Sequence, residues 1–141
     1  MTKHALLSPS SAHRWLNCTK APQLEQEFKD SSSEAAAEGS AAHALAEHEL
    51  KKAFGLKSVK PVSKYETEEM ARHVGDFVTF VLEQMASLKD PKVLIEQRLD
   101  FSSYVPEAFG TGDVVIVSDS TLQVIDLKYG FMPVEAVDNP Q

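Results

Sequence analysis

The segment Gly110-Thr-Gly-Asp-Val-Val-Ile-Val-Ser-Asp-Ser-Thr-Leu-Gln-Val-Ile-Asp-Leu-Lys-Tyr-Gly130 contains two apolar runs separated by four small polar residues. Asp113-Val-Val-Ile-Val117 and Leu122-Gln-Val-Ile-Asp-Leu-Lys128 are rich in β-branched residues and read as strands, and Ser118-Asp-Ser-Thr121 reads as the turn of a hairpin. In a strand, alternate residues share a face, so Asp126 and Lys128 point one way while Ile125 and Leu127 point the other. Asp113 opens the partner strand directly after Gly110-Thr-Gly112, where glycine permits a tight turn and leaves room beside the carboxylate. Pairing across the turn brings Asp113 alongside Asp126 or Lys128.

Upstream, Val93-Leu-Ile-Glu-Gln-Arg-Leu-Asp-Phe101 reads as a further strand carrying Glu96. Before it lie two helical patterns. Glu34 to Phe54 is Ala-rich and ends at Gly55, with Ala42, Leu45, Ala46, Leu50 and Phe54 on its apolar side. Gly39 within it points to close packing or a break. Thr67 to Leu88 repeats the pattern through Met70, Val74, Phe77, Val78, Val81, Leu82 and Met85, and Lys89-Asp-Pro91 ends it. Residues 56–64 form a loop. Ser8-Pro-Ser-Ser11 marks another helix N-terminus, followed by a small apolar patch at Trp15 and Leu16. The expectation is an α/β fold: N-terminal helices (1–90) packed on a mixed or antiparallel sheet (91–141) of three or four strands, in a single domain of 1–141.

Composition limits the function. A hydrophobic content of 43% supports a core, and no apolar run reaches the roughly 18–20 residues of a membrane span. The N-terminus lacks a secretory signal. The single cysteine, Cys18, cannot form an internal disulfide and fits a cytoplasmic chain, with a buried thiol as its expected state. The net charge of −7 opposes general DNA binding, which needs clustered Lys and Arg. Bound cations would offset metal-site carboxylates locally, and a basic groove beyond Gln141 would supply the rest.

Two carboxylates and an ammonium at one end of a hairpin suit metal-assisted phosphodiester hydrolysis. Asp113 and Asp126 would hold Mg²⁺ or Mn²⁺, hard cations that prefer oxygen. Lys128 would orient the attacking water or stabilise charge on phosphorus-bound oxygen. Each residue also has an ordinary role: Asp113 as a turn cap, and Asp126 with Lys128 as a solvated ion pair. Glu96 is either an auxiliary metal or substrate ligand or a solvated strand carboxylate. His13, Arg14 and Trp15 either touch DNA or pack and cap locally. His48-Glu49 does not open a zinc-protease motif, because Lys52 stands where the second histidine belongs.

Taken together, Gly110-Thr-Gly-Asp-Val-Val-Ile and Leu122-Gln-Val-Ile-Asp-Leu-Lys-Tyr-Gly130 resemble two motifs of RecB-like PD-(D/E)xK nucleases, with Gly112 replacing the proline. Glu38-Gly39-Ser-Ala-Ala-His43 resembles the helical segment whose histidine is an extra metal ligand. Ser10-Ser-Ala-His-Arg-Trp-Leu-Asn-Cys18 resembles the segment leading to a cysteine in many relatives. Asn139-Pro-Gln141 resembles the start of a helix carrying a Gln-x-x-x-Tyr motif, which makes Gln141 an auxiliary candidate and implies truncation at the C-terminus. More closely, the chain resembles the N-terminal part of a phage and prophage family, domain of unknown function 2800.

The resemblance implies a restriction-endonuclease-like core and Mg²⁺- or Mn²⁺-dependent DNA cleavage, exonucleolytic, in phage recombination or DNA processing. It implies that His43 joins Asp113 and Asp126 on the metal; Glu47, one turn further along on the same helix face, is spaced to orient the imidazole. DNA and phage recombination proteins are the implied partners, in the cytoplasm of a bacterial or phage-infected cell. An iron–sulfur cluster at Cys18 is not expected, because one cysteine cannot hold it. Two other readings stay open: a non-catalytic nucleic-acid-binding or recombination accessory module that keeps the fold, and a structural or protein-interaction domain.

Overall fold

The computed structural model describes residues 5–28, 33–130, 134–135 and 137–138. They contain four α-helices, α1 (Ala12–Asn17), α2 (Ala21–Glu25), α3 (Glu34–Ala53) and α4 (Glu68–Ala86), and then three strands, β1 (Lys92–Asp100), β2 (Phe109–Val117) and β3 (Leu122–Ile125). The strands make an antiparallel sheet in the order β1-β2-β3, so the α/β expectation holds and the sheet is antiparallel rather than mixed. No helix among the described residues is long and apolar enough to cross a membrane.

Two compact units divide the chain. The first comprises Met1–Ser31, Arg98–Thr111 and Val134–Gln141. Its helical segment starts with a 3-10 turn at Pro9–Ser11, where proline lacks an N–H that a first turn would leave unpaired anyway. Trp15 Nε1–H donates to the Ser8 carbonyl at 2.9 Å, which fixes the indole over that turn. A Cβ on Gly110 would sit 3.0 Å from Pro9 Cγ, so glycine suits this approach. Cys18 is exposed, contrary to the buried thiol expected. It follows the short helix α1 directly, in an extended conformation.

The second unit, Ser32–Gln97 and Gly112–Pro133, holds the main core. Helix α3 begins where the Ser33 side chain accepts from the Ala36 N–H at 3.1 Å. Its end is a Schellman turn: Leu56 N–H donates to Lys51 O and Gly55 N–H to Lys52 O, with Gly55 at φ 68. Lys51 and Lys52 in the last turn complement the negative end of the helix dipole. Thr67 caps α4 in the same way as Ser33, through the Met70 N–H at 3.1 Å.

Ala42, Leu45, Ala46 and Leu50 of α3 bury against Met70, Val74, Phe77 and Val81 of α4, and Val114, Ile116 and Leu127 complete the cluster. Removing this apolar surface from water is the main force holding the unit together. The helical spacing identifies this face with one error: Leu82 is 41% exposed. It follows Val81, whose side chain fills the core-facing position, and the helix turns about 100° per residue. Gly39 does not break α3; a Cβ there would lie 3.5 Å from the Tyr129 carbonyl oxygen, an ordinary contact.

The hairpin forms as its sequence indicates, with Val114 opposite Ile125 and Val117 opposite Leu122. Ser118 N–H donates to Thr121 O at 2.9 Å across the turn. The strand limits differ from expectation. β2 starts four residues earlier, at Phe109, and β3 ends at Ile125 rather than Lys128.

Candidate metal centre

Strand β2 carries Asp113, the one charged residue buried among the described residues, 8% exposed. Its two oxygens have separate partners. Oδ2 accepts the Leu127 N–H at 2.6 Å, and Oδ1 lies 3.0 Å from His43 Nδ1. An ionised carboxylate can only accept, so Nδ1 carries the proton in this pair. The bond to Leu127 explains why β3 stops early. Continuing the register would place Asp126 opposite Asp113, but the Asp113 side chain takes the amide that follows Asp126.

His43 projects from the middle of α3, half-buried. Its pKa is raised, first by the hydrogen bond to Asp113, then by the negative charges of Asp113, Asp126 and Glu96, against the opposing effect of burial. Glu96 is the third member. It belongs to β1 yet has φ 51, a left-handed conformation that costs a residue with a side chain about 1–2 kcal/mol. Strain of this kind persists where surrounding structure enforces it, and it gathers at functional sites.

The Glu96 carboxyl titrates above its ordinary range. Crowding by protein is the first cause, followed by the charges of Asp113 and Glu47, with His43 and Lys51 pulling the other way. One ligand atom each from His43, Glu96 and Asp113 all lie within 4.8 Å of one another. Opposite ligands of a Mg²⁺ ion are about 4.2 Å apart, so this spread is near ligation distance. Two carboxylates and an imidazole fit a divalent cation, which would offset the negative charge of Asp113 and Glu47 that adds to the effect of lost hydration on Glu96.

Asp126 and Lys128 do not join that group. Lys128 Nζ pairs with Asp126 Oδ2 at 2.5 Å, with both side chains well exposed. Asp126 remains close enough to raise the His43 pKa. Glu47 does not orient the imidazole; it pairs with Lys51 one turn further along α3, and Asp113 is the residue that holds His43. Gln141 lies outside the described residues, as does the rest of the segment 139–141.

Two residues absent from the sequence reading, Glu69 and His73, come together with motif residues beside Lys128. Glu38, Glu69, His73, Leu127, Lys128, Tyr129 and Gly130 line a cleft of about 360 Å³. Glu69 and His73 are one turn apart on α4, and the sequence offered no cue beyond that spacing.

The chain belongs to a family described as proteins of unknown function (DUF2800), whose family profile matches residues 4–141. No solved structure matches it significantly.

Proposed function

We propose that this chain binds Mg²⁺ or Mn²⁺ through His43, Glu96 and Asp113 and hydrolyses DNA phosphodiester bonds beside it, with Asp126 and Lys128 completing the site. The observation that carries the reading is the approach of the three ligand atoms to within 4.8 Å. They come from α3, β1 and β2, and a left-handed Glu96 is one of them. Helices followed by an antiparallel hairpin that bears Asp113 and leads directly into Asp126-x-Lys128 also support a restriction-endonuclease-like core of the RecB-like kind.

When bound, the cation would neutralise phosphate charge and acidify a water molecule. In the hydrolysis, a water oxygen forms a bond to phosphorus, the bond to the leaving sugar oxygen breaks, and that oxygen takes up a proton. Asp113 fixes the imidazole of His43. Lys128 supplies an ammonium that can shift from Asp126 to a phosphate oxygen or to the attacking water, stabilising charge as it develops. An exonuclease in phage recombination or DNA processing, working in the bacterial cytoplasm with recombination partners, is the biological setting we propose.

The test is cleavage of end-labelled DNA by the chain with Mg²⁺ and with Mn²⁺. Lys128→Ala is expected to lower the rate by about 100-fold or more, the scale of losing one preorganised charge-stabilising donor. Cleavage unchanged in Lys128→Ala would contradict the mechanism.

One observation favours a second reading, a non-catalytic accessory module. Both Asp113 oxygens have partners within the protein, and Asp126 and Lys128 satisfy each other. With a net charge of −7, such a module would bind DNA weakly. Metal-dependent cleavage separates the two readings.

A further inference from the structure

The metal-centre reading leaves two parts of the sequence motifs without a role: Glu38-Gly39 on α3 and Tyr129-Gly130 after β3. Glu38, Tyr129 and Gly130 line the cleft of about 360 Å³ together with Glu69 and His73 of α4. That volume lies at the lower end of the roughly 300–1,000 Å³ typical of small-molecule sites, with room for one ring system and its substituents. His73 and Tyr129 meet edge to face in the lining, their centroids 6.0 Å apart at 63°. Glu38 and Glu69 contribute carboxylates, which only accept hydrogen bonds when ionised; one Glu69 oxygen lies 3.8 Å from His73 Nε2, and its side chain stays exposed. Lys128 is the cation of the lining, and its Nζ is held by Asp126.

This combination selects a ligand class. A free phosphate or polyphosphate would face two carboxylates and is disfavoured. A flat ring with N–H donors and a phosphate on one side fits: the ring meets His73 and Tyr129, its amino hydrogens meet Glu38 and Glu69, and its phosphate turns toward Lys128. We infer that this cleft receives the terminal nucleotide of a DNA strand, with amino-bearing bases preferred over thymine. Cytosine presents an amino donor where thymine presents a carbonyl acceptor, which two carboxylates repel. The phosphate placement rests on the proposed function, because it delivers the strand to the Lys128 side of the metal centre. The base preference rests on the cleft alone.

The experiment is a titration of the full chain, without metal and with EDTA present, followed by amide NMR shifts. The probes are dCMP, dTMP and a short single-stranded oligonucleotide ending in dC. Shifts are expected at Tyr129, Gly130 and His73, tighter for dCMP than for dTMP and tighter again for the oligonucleotide. Base stacking and a hydrogen bond to a charged acceptor each have an effect of about tenfold or more. His73→Ala and Glu38→Gln, both at solvent-accessible side chains, should therefore each weaken dCMP binding about tenfold, and Glu38→Gln should also erase the preference over dTMP.

Absence of cleft shifts, equal binding of dCMP and dTMP, or unchanged affinity in both variants would overturn the inference. Free dCMP binding more tightly than the oligonucleotide would overturn the strand-end assignment. A separate Mn²⁺ titration on the same samples keeps the two claims distinguishable. Mn²⁺ binding without nucleotide shifts sinks only the cleft, and nucleotide shifts without Mn²⁺ binding sink only the metal centre.

Discussion

Asp113 Oδ1 lies 3.0 Å from His43 Nδ1, a bond that joins residues 70 positions apart in the chain. The same carboxylate also anchors the Leu127 amide, so Asp113 holds both the imidazole and the segment leading to Lys128. Removing it should therefore cost stability as well as any metal affinity. Asp113→Ala leaves a buried N–H and an imidazole without their acceptor and is expected to destabilise the fold by about 2–3 kcal/mol. Asp113→Asn keeps an acceptor oxygen and should cost less. Chemical denaturation of the metal-free variants checks the order, and equal stability of wild type and Asp113→Ala would contradict it.

Glu96 should behave in the opposite way. Its carboxyl has a folded pKa above the ordinary value near 4.5, so the folded chain binds more protons than the unfolded chain in that window. Stability contributed by this residue therefore falls as pH rises from 4.5 through the raised value, and the loss persists at neutral pH. Glu96→Gln should stabilise the metal-free protein at pH 7, leave it unchanged well below pH 4.5, and lack the melting-temperature increase expected of the wild type with Mn²⁺. A Glu96→Gln protein less stable than wild type at pH 7 would count against a Glu96 carboxylate disfavoured by lost hydration and neighbouring negative charge.

The left-handed backbone at Glu96 makes a separate prediction. Glycine adopts φ 51 without the steric cost that any Cβ incurs, so Glu96→Gly should be more stable than Glu96→Ala by about 1 kcal/mol. In an ordinary strand interior the order reverses. Denaturation of the two variants side by side decides it.

His43 links the site to pH near neutrality. Asp113 raises its pKa above 6.5, so the stabilising contribution of the pair is complete below 6.5 and disappears as pH rises through the raised value. A metal ligand must be neutral imidazole, so Mn²⁺ affinity should rise across the same range. His43→Gln should flatten both curves. A Mn²⁺ affinity that stays level from pH 6 to pH 8 in the wild type would count against ligation by His43.

The elements that periodicity governs were legible before the structure. Leu45, Leu50, Met70, Val74 and Val81 mark their helix faces by spacing, and the small polar turn at 118–121 marks the hairpin. What escaped depends on side chains acting on the backbone. β3 ends at Ile125 because Asp113 takes the Leu127 amide, and a strand pattern carries no sign of that substitution. The left-handed Glu96 follows from its surroundings, since glutamate has no preference for φ above zero. The exposed ion pair of Lys128 with Asp126 was one of the two readings open in the sequence, whereas the pairing of Glu47 with Lys51 was hidden, because several oppositely charged partners lay within sequence reach.

The metal centre itself is tested most directly by calorimetric titration of Mn²⁺ into the purified chain, its Asp113→Asn variant and its Glu96→Gln variant at pH 7.5. One saturable site in the wild type, weakened at least about tenfold in each variant, is the expected result. No binding by the wild type, or binding that both variants retain unchanged, would contradict a cation held by His43, Glu96 and Asp113.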